Sequence, residues 1–98
     1  MLKRYLVTLG ARTTAGGKVI SANSCRSIDG VKVAVEDDEV SCPRCSSLGV
    51  IKPHGPRLSE LVNGKQVALH DDLCLCKCNP PPRLIANQTL ACQVVEGL

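Results

Sequence analysis

The sequence contains no phenylalanine and no tryptophan, and Tyr5 is its single aromatic residue. That excludes a core anchored by large rings and leaves valine, leucine and isoleucine, which favour strands, to supply it. Positive charge is not clustered either. The formal net charge is +3, and no basic run is longer than the pair Lys3-Arg4, which argues against the basic stripe usual in nucleic-acid binding. Long apolar runs are also missing. The start, Met1 to Gly10, briefly resembles a signal peptide but reaches Arg12 with no further hydrophobic stretch, and no segment has the length to cross a membrane as a helix. The expectation is synthesis in a reducing cytoplasm, with any later export by a route that uses no signal peptide.

What is present fits one small domain spanning residues 1–98. Hydrophobic residues are 44% of the chain and charged residues 21%, an ordinary globular balance rather than a disordered one. A core this thin usually needs a staple, and seven cysteines could provide it. Seven is odd, so a fully paired disulfide framework leaves one thiol over. In a reducing compartment clustered cysteines more often bind metal than pair.

An internal repeat sets the architecture. A shift of 34 positions carries Asp29-Gly30-Val31-Lys32-Val33-Ala34-Val35-Glu36-Asp37-Asp38 onto Asn63-Gly64-Lys65-Gln66-Val67-Ala68-Leu69-His70-Asp71-Asp72. The same shift carries Cys42 onto Cys76 and Val50-Ile51 onto Leu84-Ile85. Asp-Gly and Asn-Gly are strong hairpin signals, because both residues tolerate positive φ. The alternation that follows, Val31, Val33 and Val35, then Val67 and Leu69, predicts strands with one buried side. The Asp-Asp pairs then suit turn capping through backbone amides. A shorter copy lies at the N-terminus, with Ala11 at the place of Asp38 and Ala15 at the place of Cys42. The approximate repeats are 1–28, 29–62 and 63–98, three hairpin-like units in an all-β fold. Helix is expected at most as one short turn over Arg57–Val62 and in the segment Gln88–Leu98.

Cys42-Pro43-Arg44-Cys45 is a C-x-x-C pair, and Cys74-Leu75-Cys76-Lys77-Cys78 offers C-x-C twice. A structural zinc site takes four soft ligands at tetrahedral corners, commonly two from each of two turns. In a strand the sulfurs of Cys74 and Cys78 would lie about 13 Å apart, so one ion cannot easily use both. The repeat makes Cys42 and Cys76 equivalent, each with a thiol just downstream. The predicted ligands are therefore Cys42, Cys45, Cys76 and Cys78 around Zn2+, with Cys74 as the replacement. Such a site contributes roughly 10–16 kcal/mol apparent at neutral pH.

Other uses of these residues are weaker. Disulfides among the same cysteines would compete after export. Redox catalysis by C-P-x-C needs a following helix, and Ser46-Ser47-Leu48-Gly49 is not one. A zinc deaminase needs His-x-Glu, which neither His54-Gly55-Pro56 nor His70-Asp71-Asp72 supplies. Cys25 and Cys92 are isolated, and His54 and His70 read as a loop and a strand-end residue. Asp37, Asp38, Asp71 and Asp72 recur with turns rather than with a pocket. No catalytic constellation emerges, so no enzyme is expected. A zinc-ribbon module that binds nucleic acid or protein would explain the cysteines but not the 34-residue repeat.

Thr13 with Gly16-Gly17, the two G-x-x-V-A segments (Gly30 to Ala34, Gly64 to Ala68) and the acid-to-cysteine spacings ending at Cys42 and Cys76 resemble the PAAR-repeat family. The resemblance covers roughly Tyr5 to Asn87. It implies a small cone of β-hairpins with approximate threefold symmetry, with a metal near the apex. It also implies a seat on the trimeric spike protein of the type VI secretion system, one copy per trimer. The expected role is the sharp tip, aiding membrane puncture and the delivery of toxin effectors. Loading would occur in the bacterial cytoplasm, before export to the extracellular space or a target cell. Longer family members carry toxins as C-terminal extensions, and with so few residues after Asn87 none is expected here. Two departures stand out. The Pro-Ala-Ala-Arg tetrad is reduced to Val33-Ala34-Val35 and Val67-Ala68-Leu69, and Ala15 stands where many members have a metal-binding His. Cys45 and Cys78 would restore a count of four ligands, as in a cysteine-rich branch.

Overall fold

The computed structural model describes residues 2–95. The fold is organised by a ring of three short segments, Leu6-Val7-Thr8, Val33-Ala34-Val35 and Val67-Ala68-Leu69. The Val7 amide donates to the Ala68 carbonyl, the Ala68 amide to Ala34 and the Ala34 amide to Val7, each at 2.9 Å. Bridges Leu6–Leu69, Thr8–Val33 and Val35–Val67 tie the same segments together. A second ring repeats the pattern one step away, from Leu9 to Lys32, Glu36 to Gln66 and His70 to Tyr5, again each at 2.9 Å. Buried amides and carbonyls must be paired, and this cycle pairs them without a continuous strand.

The alternation of small and larger apolar residues now has a physical reason. Val7, Ala34 and Ala68 are buried in one cluster, while Leu6, Val33, Val67 and Leu69 are buried in another. The waist thus has a core on each side, and both faces of these segments are covered. The expectation of one buried side fails in two ways: Ala34 and Ala68 are buried along with Val33, Val35, Val67 and Leu69, and Val31 is 40% exposed because it lies beyond the waist.

On one side of the waist each segment runs into a hairpin. The first is β2 (Arg12–Thr13) with β3 (Lys18–Val19), the second β6 (Glu39–Cys42) with β7 (Ser47–Lys52), and the third is built from β10 (Leu73–Leu75) and β11 (Leu84–Ile85). They form one sheet in the order β10-β7-β6-β3-β2-β11. A Leu73–Arg83 bridge and a 2.8 Å bond from the Cys74 amide to the Pro82 carbonyl join its two ends. The sheet closes into a cone filled by Val19, Val40, Ile51, Cys74 and Leu84. The hairpins crowd toward the apex. A Cβ on Gly17 would lie 1.9 Å from the Ser41 carbonyl oxygen, and one on Gly49 2.6 Å from that of Leu75.

On the other side lie three two-stranded ribbons. β4 (Ser27–Ile28) pairs with β5 (Val31–Lys32), and β8 (Leu61–Val62) with β9 (Lys65–Gln66). Their turns are Asp29-Gly30 and Asn63-Gly64, all four residues at positive φ as the hairpin signal requires. The third ribbon has no turn, being β1 (Leu2–Tyr5) paired with β12 (Cys92–Val95). The threefold cycle is therefore completed by the two ends of the described chain, and the fold is the expected all-β cone of three hairpin-like units.

Among the described residues there is no helix. Of Arg57–Val62 only Leu61–Val62 is regular, as strand β8, and of Gln88–Leu98 the part Cys92–Val95 is a strand. Leu2–Tyr5 supplies that strand with long-range hydrogen bonds, and Gln93 and Val95 alternate inward. Residues 96–98 lie outside the described residues. The register of the repeat also shifts by one. Val19, Ile51 and Leu84 donate to the equivalent carbonyls of Ala11, Asp38 and Asp72, so Ile51 and not Val50 matches Leu84. The connection after Asp72 is one residue shorter than that after Asp38.

Candidate metal centre

The apex is where the loops of the second and third hairpins meet. Cys42 ends β6 and is buried, Cys45 lies in the turn that follows, and Cys76 and Cys78 lie just beyond β10. One ligand atom from each, the four sulfurs, all lie within 4.8 Å of one another, and Cys42 Sγ is 3.6 Å from Cys78 Sγ. Among the described residues this is the sole group of three or more cysteines, histidines and carboxylates gathered closely enough to hold a metal ion.

Local chemistry prepares these thiols unequally. The Ser47 hydroxyl sits 2.9 Å from Cys45 Sγ and is the main reason the Cys45 thiol is held down to about 6. Desolvation pushes Cys78 up to about 12, and the neighbouring sulfurs push it the same way. Cys76 is raised as well, first by desolvation. Four thiols this close cannot all ionise unaided, because each new negative charge opposes the next. A bound cation removes that opposition, so the donor set fits a soft metal ion.

Cys74 stays outside the group. It is fully buried in the core, and burial is the first cause that pushes its thiol up to about 12. Its side chain faces Gly49, where a Cβ would come within 2.7 Å of its sulfur. Ala15 occupies the first-unit position corresponding to Cys42 and offers no ligand. Cys25 and Cys92 are exposed. His54 is exposed, and His70 Nδ1 accepts a 3.0 Å bond from the Ala86 amide.

Of the paired aspartates, the second of each pair caps a turn as the spacing implied, while Asp37 meets Lys65 and Asp71 lies beside His70. Asp38 Oδ2 accepts the Val35 amide and Asp72 Oδ2 accepts the Leu69 amide, each at 2.8 Å. Both carboxylates are buried, which the sequence did not reveal. Asp38 is satisfied by Ser21 and Asn23. Asp72 is instead held by two arginines, Arg4 at 3.1 Å and Arg57, while Arg4 also reaches the His70 and Pro56 carbonyls. These groups fix the waist.

A family model described as the PAAR motif matches residues 9–79, more than half of the chain. No curated protein and no solved structure matches it.

Proposed function

The chain belongs to the PAAR motif family, and on that premise we propose that it is the tip of a type VI secretion spike, a structural and binding part rather than an enzyme. The observation that carries this reading is the cyclic hydrogen bonding of Val7, Ala34 and Ala68, which gives a single chain three equivalent faces. One chain can then meet a true trimer without a symmetry mismatch. The three ribbons present two-stranded edges on the side away from the four-cysteine group. Apolar side chains stand exposed on them, including Val31, Leu61 and Val94. Such edges can extend a partner's sheets by strand addition.

At the other end the four-thiol donor set suits zinc. Four sulfurs within 4.8 Å of one another, two from each of two loops, are the donor set a structural zinc site takes. Cys42, Cys45, Cys76 and Cys78 would hold it, and it would supply no chemistry beyond cross-linking two loops where few apolar side chains fit. A cross-linked apex resists deformation during puncture. Synthesis and loading take place in the bacterial cytoplasm, with export to the extracellular space or a target cell and effectors carried alongside. No described helix is long and apolar enough to cross a membrane.

Native mass spectrometry of the chain mixed with a trimeric spike protein encoded near it tests both ends together. The expected species is one chain and one zinc per trimer. A zinc-loaded chain that forms no complex would overturn the tip reading in favour of a zinc-ribbon module.

A further inference from the structure

The basic residues that look scattered along the sequence are sorted by the fold. Arg12, Lys18, Arg44, Lys77 and Arg83 all fall in the apical segments 12–19, 39–52 and 73–85, whose one acid, Glu39, opens β6 and whose other cation, Lys52, ends β7. All five are exposed, and none takes part in an ion pair among the described residues. The other six basic residues share the rest of the chain with the other eight acids. Four thiolates around one divalent ion carry a net charge of about −2, which five cations exceed.

Arg12 and Lys18 sharpen the point. They are direct cross-strand partners on the outer face of the first hairpin, and like charges so placed repel. Their other neighbours across the sheet are Ile85 and Ser41, neither of which is an acid. Both cations line an open groove of ≈ 720 Å³ shared with Gly16, Ser41, Pro43 and Leu48. Leu48 is 58% exposed there. Cations beside an exposed leucine suit the boundary between lipid headgroups and acyl chains. Single-stranded nucleic acid is usually held by aromatic stacking, and the apex has no aromatic residue.

We propose that the apex docks on an anionic lipid surface, and that the groove at Arg12 and Lys18 receives a phosphate-bearing headgroup. The inference builds on the tip reading, since it says what the free end of a seated tip meets first. It gives the apex an electrostatic hold on the membrane before any mechanical force acts.

The test is sedimentation of the zinc-loaded chain with phosphatidylcholine vesicles, with and without phosphatidylserine, at low and high salt. Binding is expected with phosphatidylserine and should fall at high salt. Each cation near an anionic surface strengthens partitioning by roughly fivefold, so Lys18→Gln should weaken it about fivefold and the double variant Arg12→Gln/Lys18→Gln roughly 25-fold. Lys32→Gln, an exposed charge on the β5 ribbon across the waist, should change it less than about twofold. Equal binding to both vesicle types, or a double variant that binds like the parent, overturns the proposal. Duplex DNA retained through Arg12 and Lys18, with no vesicle binding, overturns it as well. The double variant should still join the spike trimer, so failure here is separable from failure of the tip reading.

Discussion

At the waist the three units supply the same thing, one backbone donor and one backbone acceptor each, whereas at the apex two of them supply all four sulfurs. The difference follows from the kind of group each region uses. Every residue but proline carries the waist's donors and acceptors, so Val7 can stand where the other units have alanine. The apex depends on a side chain that few residues have. With Ala15 in the first unit, the second and third units contribute two thiols each, and symmetry is lost. The buried acids show the same divergence inside a common frame. Asp38 and Asp72 cap the same backbone position, yet Asp38 is neutralised by nothing but dipoles while Asp72 sits between two arginines.

The strongest way to break this comparison is to remove the metal. Cys42→Ser, or treatment of the parent with a chelator, should abolish zinc retention and unfold the apical hairpins, because structural zinc sites contribute about 10–16 kcal/mol apparent. Elemental analysis with circular dichroism melts would check it, and an unchanged melting curve in chelator would contradict it. The sign of the pH dependence follows from the thiols. Zinc must displace their protons, so affinity falls as pH falls. The fall should steepen below about 6, where Cys45 also holds its proton.

Next in size is the pair of acids. Asp72→Ala leaves the buried Arg4 and the nearly buried Arg57 without their carboxylate, and should cost about 3–5 kcal/mol. Asp38→Ala leaves unpaired dipoles and should cost about 1–3 kcal/mol. Denaturant midpoints at constant slope would rank the two, and equal losses would show that Arg4 and Arg57 add nothing beyond the turn cap. The smallest effect belongs to the exposed pair Lys65–Asp37. Lys65→Ala should leave the melting temperature unchanged, since solvent and salt screen such contacts.

Much of this was legible in the chain. The Asp-Gly and Asn-Gly turns, the alternating valines, the aspartate pairs and the cysteine spacings each determine local geometry, so the repeat gave hairpins and named the four sulfurs that come together. Reading failed where the partner lies far away in sequence. Cys92–Val95 is a strand because Leu2–Tyr5 pairs with it from the opposite end of the chain. Val31 is exposed despite its place in an alternating run, because the waist ends before it. Tertiary structure also decided that Asp72 meets Arg4 and Arg57, that Cys74 lies in the core while Cys76 and Cys78 reach the apex, and that scattered cations gather on an end with one acid, Glu39. Turn and strand signals are set by neighbouring residues, whereas ion pairs, burial and charge patterning depend on which distant segments the closed cycle brings together.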